Sequence, residues 1–110
     1  MKKFFILLVC CFITNTQAQD GNKLLQQCTA ALDEKVSDPL YAGYCFGYIE
    51  GVRMAISVYS PKVFCLPSGG ITNGQAVRVV KKYLEDHPAK LHLDSFVLTV
   101  VSFKEAYPCK

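Results

Sequence analysis

The sequence predicts an all-α fold: a small four-helix domain stapled by two disulfides and preceded by a cleaved signal peptide. Three observations lead there. The chain begins with a short basic and apolar leader. Cys28, Cys45, Cys65 and Cys109 lie beyond that leader, an even number of cysteines in a small exported chain. Apolar residues then recur at helical spacing, in segments bounded by capping side chains and prolines.

The leader comes first. Lys2-Lys3 is followed by an apolar run over residues 4–13, a polar break at Thr14-Asn15 and the small residue Ala18. This is the layout of a secretory signal, with cleavage expected after Ala18. The run falls short of the roughly 20 apolar residues that cross a bilayer. The expected division is residues 1–18 as signal peptide and 19–110 as one helical domain, with no membrane attachment after cleavage. Of the formal net charge of +3, Lys2 and Lys3 supply two and leave with the leader. The nearly neutral remainder has no basic stripe for nucleic acid.

Asp20 or Asn22 can cap a first helix over residues 23–32, with Leu24, Leu25, Cys28 and Leu32 as its buried stripe. Ser37-Asp38-Pro39 starts a second helix, a capping side chain followed by proline in the first turn. It runs to about residue 59, where Ser60-Pro61 ends it. Tyr41, Tyr44, Cys45, Tyr48, Ile49, Val52, Ile56 and Tyr59 form its expected apolar side. Gly43, Gly47 and Gly51 recur every four residues and line up along one ridge. Each glycine costs a helix about 1 kcal/mol relative to alanine. The expected offset is close approach of another helix, which makes this segment a packing spine.

Phe64-Cys65-Leu66-Pro67 and Ser68-Gly69-Gly70 form a loop. Thr72-Asn73-Gly74-Gln75 is a capping box in which the Gln75 side chain can reach back. The third helix, to about residue 86, buries Ala76, Val77, Val80, Tyr83 and Leu84 and turns Arg78, Lys81 and Lys82 largely outward. His87-Pro88 breaks it. The β-branched run at residues 95–103 reads locally as a strand. No partner strand exists to satisfy its edges, so residues 88–107 are expected to form a fourth, central helix.

Four cysteines allow three pairings. A short connection makes the first two helices antiparallel neighbours, which brings Cys28 level with Cys45. The end of the fourth helix returns toward the start of the third, which brings Cys109 to Cys65. The expected pairs are therefore Cys28–Cys45 and Cys65–Cys109.

No constellation carries catalysis. With every cysteine paired, no free thiolate stands beside an imidazole. There is no C-x-x-C, and His87 and His92 are not at metal-ligand spacing with any cysteine, so neither a metal nor a cofactor is expected. Ser68-Gly69-Gly70 fits no phosphate-loop pattern. What remains is a domain whose work is binding.

Several elements then occur in order: Tyr44-Cys45-Phe46-Gly47-Tyr48-Ile49-Glu50-Gly51-Val52, Phe64-Cys65-Leu66-Pro67, Thr72-Asn73-Gly74-Gln75, Tyr83-Leu84, His87-Pro88, Leu91-His92 and Tyr107-Pro108-Cys109. In this order and spacing the chain resembles the Rap/Tai-type immunity proteins, from about residue 24 to residue 109. It departs at Arg53-Met54, where that family often has an acidic residue. The resemblance implies a periplasmic all-helical domain, often a homodimer, whose partner is a peptidoglycan amidase toxin delivered by type VI secretion. It implies protection by covering the toxin's active-site groove, and no enzymatic activity. From exposure and placement, the expected contact surface is Pro67, Ser68, Gly69, Gly70 and Asn73 of the loop with Gln75, Arg78 and Lys82 of the third helix. The alternative class is a periplasmic helical chaperone or scaffold with no toxin partner.

Overall fold

Helix α1, Gly21–Ala31, starts where Asp20 leaves the helical region and its carboxylate accepts from the Lys23 N–H at 3.0 Å. The computed structural model describes residues 19–110. The expected signal peptide and its cleavage after Ala18 lie outside the described residues. Three further α-helices follow among them: α2 (Pro39–Tyr59), α3 (Asn73–Asp86) and α4 (Ser95–Ala106). The all-α, four-helix expectation is met.

Each start is capped as elementary hydrogen bonding requires, since the first N–H groups of a helix lack intrahelical partners. Asp38 accepts from the Tyr41 N–H, with Pro39 in the first turn of α2. Thr72 accepts from the Gln75 N–H at 3.1 Å. The reciprocal half of the expected box is not made, because the Gln75 side chain donates instead to the Tyr107 hydroxyl at 3.2 Å.

The fourth helix is shorter than the sequence suggests. Pro88–Lys90 forms a single 3-10 turn, and α4 begins only after Asp94, which accepts from the Phe96 and Val97 N–H groups. The residues between serve another purpose. Gly21 N–H donates to Leu93 O, Asn22 N–H to Leu91 O and Ser95 N–H to Gln19 O, which straps the start of α1 to the start of α4.

Leu24 and Cys28 from α1, Cys45 and Ile49 from α2, and Val77, Val80 and Leu84 from α3 meet Leu98 and Phe103 of α4 in one core. Phe64, from the loop before α3, closes it against Phe103, ring centroids 5.2 Å apart. All five predicted α3 core residues are buried. The buried hydroxyls of Thr99 and Ser102 are satisfied by donating one turn back, to Ser95 O and Leu98 O.

Both expected disulfides are present, Cys28–Cys45 with Cα atoms 5.1 Å apart and Cys65–Cys109 at 4.9 Å. The first lies in the core and the second on the surface. Cys45 also decides which side of α2 faces inward. Ala42, Cys45, Ile49 and Val52 are its buried residues, and at about 100° per residue they centre opposite the glycine ridge. Gly43, Gly47 and Gly51 are exposed, and a Cβ on any of them would have nothing within 4 Å. Among the described residues, the close approach of another helix expected at this ridge is therefore not made. Tyr44 and Tyr59, assigned to the same apolar side, are exposed as well.

Candidate functional site

The segment between Cys65 and α3 is a short exposed loop held at both ends. Cys65 is disulfide-bonded to Cys109, and its N–H donates to Tyr107 O at 2.8 Å. Pro67, Ser68, Gly69 and Gly70 form a turn closed by the Gly70 N–H donating to Pro67 O at 2.9 Å. Gly69 and Gly70 have φ of 87° and 77°, a left-handed conformation that side-chain-bearing residues rarely adopt. At its far end, Asn73 Oδ1 accepts from Arg53 at 3.4 Å. Arg53 is the residue at which the chain departs from its expected relatives, and it also forms an ion pair with Glu50. Glu50, the one carboxylate amid the apolar residues of α2, is thus half of a structural pair on the helix flank.

Gln75, Arg78 and Lys82 are exposed and follow one another along the same side of α3. They line one edge of an open groove of about 420 Å³ between α3 and α4. Tyr83 and His87 lie at one end of it, and Ser102 and Glu105 line the opposite edge. The His87 ring stacks on Tyr83 with centroids 4.0 Å apart, and its Nδ1 is 2.7 Å from Tyr83 O. His87 therefore caps the end of α3. His92, the other histidine, is exposed.

Charge along α3 is mostly neutralised one turn on. Lys81 pairs with Glu85, and Lys82 pairs with Asp86 at 2.9 Å. The Asp86 hydrogen bond and charge hold the Lys82 ammonium above its ordinary pKa. Among the described residues Arg78 makes no ion pair, and its guanidinium folds back toward Gly74. The structure leaves the 67–73 loop largely exposed and sets Gln75, Arg78 and Lys82, named with it from the sequence, along one edge of the groove. The α4 edge at Ser102 and Glu105 was not foreseen, because no spacing rule says which helix flanks α3 there. Among the described residues no group of His, Cys, Asp or Glu could hold a metal ion.

Residues 20–109 match the family model of Rap1a immunity proteins. The chain belongs to the Rap1a immunity protein family. No curated protein matches the chain. Membership makes this a non-enzymatic immunity protein with a cognate toxin as partner. Two disulfides in a Rap1a-family chain of this size suit an oxidising compartment outside the cytoplasm.

Proposed function

We propose that this Rap1a-family chain works in the periplasm, after removal of residues 1–18, and binds a peptidoglycan amidase delivered by type VI secretion. It occludes the toxin's active-site groove. In the same reading the inhibitor is a homodimer. The observation that carries the steric mechanism is the 67–73 loop, exposed yet fixed by a disulfide, a left-handed turn and the Arg53–Asn73 bond. A plug made of glycine and serine must be held still if ordering it on binding is not to consume the binding energy. Gln75, Arg78 and Lys82 follow the loop in the chain, with Arg78 supplying a cation that has no carboxylate partner among the described residues.

The test is an amidase assay on purified peptidoglycan, with the toxin encoded beside this chain and the purified, oxidised protein added in increasing amounts. Stoichiometric loss of hydrolysis is expected. Undiminished hydrolysis, together with suppression of aggregation of unrelated periplasmic proteins, would replace the immunity mechanism with the chaperone alternative.

A further inference from the structure

Helix α2 carries a second apolar face that the described core does not use. Leu40 is 77% exposed, Tyr44 47%, Met54 57% and Val58 69%. Between these side chains run Gly43, Gly47, Gly51 and Ala55, all exposed. At about 100° per residue these positions share one side of the helix over five turns. No residue charged at neutral pH falls among them. Glu50 and Arg53 lie off this side and neutralise each other.

The order of residues on this face is self-matching. About a point midway between Gly47 and Gly51, small residues mirror small ones and large mirror large: Gly47 with Gly51, and Gly43 with Ala55. The same reversal sets Tyr44 with Met54 and Leu40 with Val58. An unrelated partner gains nothing from such symmetry. A second copy of the chain, run antiparallel across a two-fold axis, meets its own pattern, as an isologous contact requires.

We propose that this face of α2 is where two copies pair, antiparallel, with Gly47 of each against Gly51 of the other. The proposal gives the homodimer of the preceding section its contact and rests on that part of the reading. The three glycines and Ala55 then perform a role that no described helix of the same chain asks of them, letting two helix backbones come close. The four large side chains pack on either side of that contact. Absence of charge on the face means that two-fold pairing opposes no like charges. Contact along roughly 27 Å of helix makes an interface at the small end of stable dimers, so pairing should be reversible and concentration-dependent. No described helix is long and apolar enough to cross a membrane, which removes the other common use of a glycine ridge.

Sedimentation of the oxidised protein over a concentration series tests this. The wild type is expected to form a reversible dimer. Gly47→Leu and Met54→Lys, introduced separately, should each raise the dissociation constant at least about tenfold. Their circular dichroism should stay that of the wild type, because neither position touches the core. Arg78→Glu, in the groove between α3 and α4, should leave the dimer unchanged. A wild type that stays monomeric at every concentration overturns the homodimer and this face together. A dimer of undiminished affinity in both α2 variants overturns the face alone. Amidase inhibition is read in a separate assay, so its failure bears on the toxin reading and not on this one.

Discussion

Gly21 lies directly against Leu98: a Cβ built on Gly21 would stand 2.5 Å from the Leu98 Cδ1 and 3.0 Å from Leu91 O. Here the strap from residue 91 to residue 95 crosses the first turn of α1. Alanine normally favours a helix over glycine. At this position Gly21→Ala is expected to destabilise, by about 1–3 kcal/mol, because Leu98 is buried and the Leu91 carbonyl belongs to backbone that carries the Asn22 hydrogen bond. Urea unfolding of the oxidised protein, compared with the wild type, gives the sign. A variant as stable as the wild type would mean that the strap gives way easily.

The α2 glycines behave oppositely. A methyl group at Gly47 meets nothing within 4 Å. At concentrations where the chain is monomeric, Gly47→Ala should therefore stabilise it by up to about 1 kcal/mol, the ordinary helix-propensity gain. Thermal unfolding of a dilute sample measures this, and a lowered midpoint would show an unseen constraint on the ridge.

That contrast shows what the sequence carries and what it does not. The stripe of α3 was legible because Ala76, Val77, Val80, Tyr83 and Leu84 are its one apolar face. Helix α2 is apolar nearly all round, so periodicity could not choose between the side of Ile49 and the side of Gly47. The choice is made by the disulfide from Cys45 to Cys28. Asp94 was likewise one carboxylate among several until the strap fixed it as the cap of α4. The exposure of the 67–73 loop and of Gln75, Arg78 and Lys82 was readable from capping and patterning. That Gln75, Arg78 and Lys82 share a groove with Ser102 and Glu105 depends on packing, which no local rule contains.

The two disulfides should differ in accessibility and in contribution. Cys28 and Cys45 are wholly buried, whereas Cys65 and Cys109 are exposed. Mild reductant should open Cys65–Cys109 first, as seen by alkylation and mass mapping of the native protein. In the chain-entropy view the 17-residue span of Cys28–Cys45 contributes about 3 kcal/mol and the 44-residue span of Cys65–Cys109 about 4. Serine replacement of each pair, followed by chemical denaturation, checks that ranking. Loss of the buried pair should cost more than the entropy alone, since two serine hydroxyls would then sit in the core.

Stability should fall at both ends of the pH range, for opposite reasons. The Lys23 N–H holds the Asp20 carboxyl below its ordinary value of 3.8. Its folded pKa is thus depressed, so its contribution is present above that value and is lost as the pH falls through the folded one. Burial raises the Tyr48 hydroxyl above its ordinary 10.0, with the Asp94 charge adding and the Ser95 hydrogen bond opposing. Here the folded pKa is raised, so the contribution is complete below 10.0 and is lost as the pH rises through the folded value. Asp20→Asn should flatten the acid limb of the thermal midpoint against pH, and Tyr48→Phe the alkaline limb. Unchanged limbs in both variants would assign the pH dependence to other groups.

Arg53 connects α2 to the loop proposed to meet the toxin. Its guanidinium, mostly buried, holds Glu50 on α2 and reaches Asn73 at 3.4 Å, where the 67–73 loop joins α3. The bond to Asn73 is exposed and long, so its direct contribution is small, while the pair with Glu50 is half-sheltered. Arg53→Ala is expected to lower stability by about 1 kcal/mol and leave the helices intact. Its larger effect should be on the loop, which loses its tie to α2. Amide exchange should quicken at Ser68, Gly69 and Gly70 and not in α1 or α4. Toxin affinity should fall through faster dissociation, because a loosened plug must be re-ordered at each binding event. Arg78→Glu separates the two effects. It should leave loop exchange unchanged and weaken binding by charge alone, with a dependence on salt that Arg53→Ala does not show. If Arg53→Ala frees the loop yet binds toxin as tightly as the wild type, rigidity of the loop is not what inhibition requires.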